Sequence, residues 1–132
     1  MGKKDEQKGM IHSLENLDDC FKWLKKSIVD YKKFGKMKEK KAIVLAHHGV
    51  GRFIRNKLEL WSEYQKKKEN RSPLVNWFNN KGIYHPDDIS GIILTSFHRY
   101  LNGKKLKIKN QIKKYRDYWK KENPKINEGF VE

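Results

Sequence analysis

From Ser13 onward the apolar residues Leu14, Leu17, Phe21, Leu24, Ile28 and Tyr31 recur at alternating spacings of three and four. That period puts them on one stripe of an α-helix and is incompatible with the two-residue alternation of a half-buried strand. Ser13 is the expected N-cap and Gly35 the expected stop, for a helix of about 17–20 residues. The constraint extends along the chain. Glu39, Ala42 and Ala46 suit a buried helix ending at Gly49. Val50, Phe53, Ile54, Leu58 and Trp61 repeat helically after a two-glycine joint. EYQKKKENRSP reads as a polar connection or a frayed helix end. Ser72-Pro73 starts a short helix that Gly82 ends, and His85-Pro86-Asp87-Asp88 starts another that Gly103 ends. Ile108, Ile112, Tyr115 and Trp119 carry a last helix that stops before Pro124. The expected fold is mostly α: a compact single domain of five or six short-to-medium helices over residues 11–122. Residues 1–10 are expected to be a disordered basic N-terminus and 123–132 a flexible tail.

A core for 132 residues is modest, and with 36% hydrophobic and 36% charged residues it has to be drawn from amphipathic helices. The formal charge of +15 is concentrated in the flanks, where residues 1–42 and 103–132 hold 11 of the excess charges. An excess of that size steers anionic partners, with nucleic acid the first candidate. Only five of the 31 basic residues are arginines. Direct base readers favour the arginine fork, so the lysine excess also fits a purely compositional or solubilising origin. Cys20 is the only cysteine, which excludes an intrachain disulfide and a cysteine-based zinc site. MGKKDEQKG lacks the apolar stretch of a secretory signal, and no apolar run approaches the roughly 20 residues that span a bilayer. The expectation is a soluble cytoplasmic protein without a membrane partner.

Four of the five histidines and four of the five arginines lie between Ala46 and Tyr100. The first cluster, His47, His48, Arg52, Arg55 and Asn56, surrounds a glycine-flanked helix start, where backbone amides and arginine together suit a phosphate. Capping alone also accounts for its glycines, and it contains neither a Walker loop nor GxGxxG. The second cluster holds His85, Asp87, Asp88, Ser90, Thr95, His98 and Arg99. Its proline and aspartates are what a helix start prefers electrostatically. An aspartate here is alternatively suited to orient a histidine for acid–base work, with His85, His98 and Asp88 as catalytic candidates, or to clamp Arg52 or Arg55. The histidines and aspartates have no metal-ligand spacing, so no metal and no cofactor is expected. Trp61, Trp77, Phe78, Tyr84, Phe97 and Tyr100 are of the type that stacks on bases, but their helical spacing assigns most of them to the core. Cys20, beside the first apolar stripe, is expected to be inert core.

Gly51-Arg52-Phe53-Ile54-Arg55-Asn56 with Leu60-Trp61, and His85-Pro86-Asp87-Asp88-Ile89-Ser90-Gly91-Ile92-Ile93, resemble the marks of a bacterial and bacteriophage domain family of unknown function. Leu101-Asn102-Gly103-Lys104 and Gln111-Ile112, Tyr115 and Tyr118-Trp119 are similar as well, so the likeness spans residues 43–119. It implies Arg55, Asn56, His85, Asp87, Asp88 and Ser90 as family-typical polar positions and implies no activity. Three functions stay open at this level. The first is binding of a phosphate-bearing ligand, nucleic acid or nucleotide, by His48, Arg52, Arg55, Asn56, His85, Asp87, Asp88 and Ser90. The second is a metal-independent enzyme acting on phosphodiesters or nucleotides. The third is a module for a protein partner, such as a phage or bacterial accessory or inhibitor factor.

Overall fold

The structure, a computed structural model, describes residues 13–122. The expected disordered N-terminus and flexible tail lie outside these residues. Among the described residues eight α-helices follow one another: α1 Leu17–Ser27, α2 Tyr31–Lys36, α3 Glu39–Ala46, α4 Val50–Lys57, α5 Leu60–Gln65, α6 Pro73–Asn79, α7 Pro86–Leu101 and α8 Ile108–Glu122. A short 3-10 turn, Lys68–Asn70, precedes α6. No strand occurs among the described residues, and none of their helices is long and apolar enough to cross a membrane.

The mostly α expectation holds, but two anticipated helices are each broken in two. The first breaks at Ile28, which turns extended while its amide still bonds to the Leu24 carbonyl. Leaving the α1 axis there lets Tyr31 and Phe34 reach Phe97, at ring separations of 6.3 and 6.1 Å. The helix starts at Leu17, with the Asn16 side chain accepting from the Asp19 amide, rather than at Ser13. Gly35 lies inside α2, buried against Leu101, and does not stop it.

The second break is at Glu59, which adopts left-handed φ/ψ of 50° and 40°. Leu58 and Leu60 on either side are both fully buried. On one continuous helix two residues spaced so would point roughly 200° apart, so burying both requires the chain to turn between them. The left-handed residue costs on the order of 1–2 kcal/mol and the two leucines offset it. The turn also swings Trp61 outward.

The remaining stops and starts follow local chemistry. Ser72 accepts from the Val75 amide ahead of Pro73, and Gly82 and Gly103 end α6 and α7 at φ of 86° and 64°, where a side chain would be strained. α7 is the central element. It is buried on nearly all sides, through Ile89, Ile92, Ile93, Leu94 and Phe97 and also Ser90, Ser96 and His98. A helix apolar around so much of its circumference has to be wrapped by others, and α1 to α5 and α8 all pack against it.

Candidate functional site

Arg55 joins the two polar clusters. It is 7% exposed, and its guanidinium donates to the His47 carbonyl at 2.8 Å and to Ser90 Oγ at 2.9 Å. Its Nε lies 3.6 Å from Asp87 Oδ1. The arginine thus ties the end of α3 to the first turns of α7. The last carbonyls of a helix lack intrahelical partners, and a guanidinium fork suits them. A Cβ at Gly51 would sit 3.1 Å from Arg55 Nη1 and from the Ala46 carbonyl, so the glycine of the joint makes room for the clamp. The donors of Arg55 are used inside the protein, whereas Arg52 and Asn56 on α4 and His48 before it are exposed. The rings of His47 and His48 meet edge to face at 4.8 Å.

His85 is itself the N-cap of α7: Nδ1 accepts from the Asp87 amide at 3.1 Å. The proton of the neutral ring therefore sits on Nε2, and the side chain is 24% exposed. The Asp87 carboxylate is 47% exposed and lies 3.9 Å from Nδ1. A catalytic histidine oriented by a carboxylate donates an Nδ1 proton to it; here Nδ1 is an acceptor, so Asp87 does not serve that role. Three rings surround the imidazole. Trp61 and Tyr64, from α5, lie at 5.1 and 5.6 Å, and Trp119, from α8, at 6.0 Å. Tyr118 stands edge to face with Trp119 at 5.6 Å.

These rings face solvent. Trp61 is 45% exposed, Tyr64 41%, Trp119 41% and Tyr118 54%, and Tyr84, next to the cap, is exposed too. Phe78 and Phe97 are in the core as expected, while Trp61, Tyr84 and Tyr100 are not. Below the rings, buried Asp88 accepts from Trp119 Nε1 at 2.7 Å. Burial raises its carboxyl above the usual range, and neighbouring Asp87 adds to this, against the Trp119 bond and His85, which lower it. Tyr115 lies alongside, its hydroxyl over Gly91. Its phenol is raised by burial and by Asp88.

The other candidates lie elsewhere. His98 is 13 residues further along α7, or about 20 Å at 1.5 Å per residue. It is buried, with Nε2 2.7 Å from the Met37 carbonyl and its ring edge to face with Phe34. Arg99 grips Glu39 at 2.6 and 3.2 Å and donates to the Leu106 carbonyl. Ser90 is buried between Arg55 and the Asp87 carbonyl. Cys20 is fully buried, and burial pushes its thiol up to about 12. No group of histidines, cysteines and carboxylates that suits a metal occurs among the described residues.

Tyr64, Tyr118 and Trp119 carry no site motif in the sequence; the one available signal is that Trp61 and Tyr64, at i and i+3, share a helix face. Arg71 stands in a polar stretch without a motif. It donates to the Glu63, Tyr64 and Lys66 carbonyls and to Asn79, and so holds the end of α5 in place. Glu63, fully buried, accepts from the Ser72 amide at 2.8 Å with the Lys66 ammonium 3.0 Å away.

The chain belongs to the family described as a domain of unknown function, DUF6794, whose model matches residues 15–101. That match takes in α1 and α2, which precede the 43–119 stretch of the resemblance, and ends with α7. The joint, Arg55, Trp61, Tyr64 and the His85 cap fall within it, and α8 with Trp119 lies beyond it. Neither a search of curated proteins nor one of solved structures found a match.

Proposed function

We propose that this protein binds a phosphate-bearing ligand, nucleic acid or nucleotide, on the surface formed by the His85 ring cluster and α8. One observation carries the reading: the helix that lays Trp119 against His85 also presents Lys109, Lys113, Lys114, Arg116, Lys120 and Lys121 to solvent. Rings for bases and cations for phosphates then lie on one element. Exposed Arg52 and His48 add to the cationic surface, while Arg55 holds the site together from beneath. His85 Nε2–H, for which the hydrogen bonds among the described residues give no partner, is a donor for the ligand.

Lysine-based phosphate binding is driven by counterion release and is steeply salt-sensitive. Exchanging Lys114, Lys120 and Lys121 for glutamine should weaken binding and flatten the slope of log affinity against log salt by about 2, at roughly 0.7 per phosphate contact on a single strand. Fluorescence anisotropy of a labelled oligonucleotide across a salt series measures this. Binding that is absent at low salt, or unchanged between low and moderate salt, refutes the reading.

A further inference from the structure

We infer that the ligand is a strand with unpaired bases, which stack on the exposed rings around His85 while the phosphates run over the lysines of α8. This deepens the phosphate-ligand reading and rests on it. Trp61, Tyr64, Trp119 and Tyr118 form one continuous group through His85, with neighbouring ring centres 5.1–6.4 Å apart. Successive planes meet at angles of 34° to 83°. No single flat partner covers rings set at such angles, whereas bases on a flexible strand each turn to meet one. In a duplex the base faces are already stacked on each other, so the rings have nothing to gain from it.

Charge sets the direction in which the strand lies. Asp87, half exposed, flanks the ring cluster, and Asp88 lies below it. These carboxylates repel phosphate at the rings, although the protein as a whole carries +15. Base edges meet the rings, and the backbone keeps to the basic side. A single nucleotide would not use that side fully. Lys109 to Lys121 covers about 18 Å of helix at 1.5 Å per residue, the span of several phosphates at about 3.4 Å or more of strand per nucleotide.

The full chain should be titrated with a short thymidine strand, the same strand made abasic, a fully paired two-strand duplex without a loop, and thymidine monophosphate, following tryptophan fluorescence and anisotropy. The thymidine strand is expected to bind about 10-fold or more tightly than the abasic one, in keeping with stacking on at least one ring, and to quench tryptophan emission. Trp61→Ala and, separately, Tyr118→Ala should each erase about 10-fold of that advantage while leaving abasic binding unchanged. Tyr118 is 54% exposed and stands at the edge of the ring group, so its variant keeps the test sound if Trp61→Ala fails to fold. A uridine strand run in parallel identifies the source as RNA or DNA, and either order of affinity supports the inference. Equal binding of abasic and thymidine strands overturns stacking and leaves phosphate binding standing. A duplex or monophosphate that matches the thymidine strand overturns the unpaired strand as ligand. No binding to any probe overturns the parent reading as well.

Discussion

Replacing Arg55 separates a clamp from a ligand contact, because the two roles change different measurements. The guanidinium makes a buried hydrogen bond to Ser90 and a partly buried one to the His47 carbonyl. Hydrogen bonds from a charged donor contribute about 1.5–3 kcal/mol each. The Asp87 pair adds less than about 1 kcal/mol, since that carboxylate is half exposed and screened. Ser90 keeps its own bond to the Asp87 carbonyl when the arginine is lost, whereas the His47 carbonyl must find water. A loss of about 3 kcal/mol is therefore expected for Arg55→Ala. For 132 residues the unfolding entropy near the midpoint is about 0.28 kcal/mol/K, so Tm should drop by about 11 °C. Arg55→Lys should lose about half as much, because one ammonium cannot bridge both partners with the geometry of the fork. Scanning calorimetry reads both variants, and oligonucleotide titration at a temperature where each stays folded reads the other role. A Tm within about 2 °C of the parent, together with loss of binding, would refute the clamp and return Arg55 to the ligand.

Asp88 and Gly91 test the layer beneath the rings. Burial lifts the folded carboxyl of Asp88 above its ordinary 3.8. The folded chain therefore holds its proton over a pH window in which the unfolded chain has lost it. Stability is fully present below 3.8 and falls as pH rises through the raised value. Asp88→Asn keeps an acceptor for Trp119 and should melt above the parent at pH 7, with the gap closing toward pH 4; a lower Tm at pH 7 counts against the burial effect. A Cβ at Gly91 would stand 2.4 Å from the Tyr115 hydroxyl, so Gly91→Ala should cost about 1–3 kcal/mol in denaturant unfolding. Most of that should return when Tyr115→Phe removes the oxygen, because the next ring atom lies at an ordinary 3.4 Å. No recovery in the double variant would place the clash elsewhere.

Helix ends with their own local chemistry were legible in the sequence: Ser72-Pro73, Pro86 after His85, Gly82 and Gly103. The breaks at Ile28 and Glu59 were not. Neither has a proline or glycine, and both serve tertiary packing, contact with Phe97 in one case and the joint burial of Leu58 and Leu60 in the other. The site was legible to the same extent. A carboxylate clamping an arginine was one of the open readings, and Asp87 lies beside Arg55 in that way. That His85 caps its own helix was hidden, because capping signals are read from Ser, Thr, Asp and Asn. The ring surface was hidden by the break at Glu59, which changes the helical phase and turns Trp61 from the core to solvent.

The arginines and lysines divide the charge into two kinds. Arg55, Arg71 and Arg99 each place their forks on backbone carbonyls, at His47, at Glu63, Tyr64 and Lys66, and at Leu106. Three of the five arginines therefore secure the fold. The cations left on the surface are mostly lysines, compact point charges that attract phosphate without reading a base edge. A protein built in this way has little means of recognising sequence in a major groove. If it binds a strand as proposed, discrimination has to come from shape and stacking, and the rings gathered on His85 are the groups proposed to supply it.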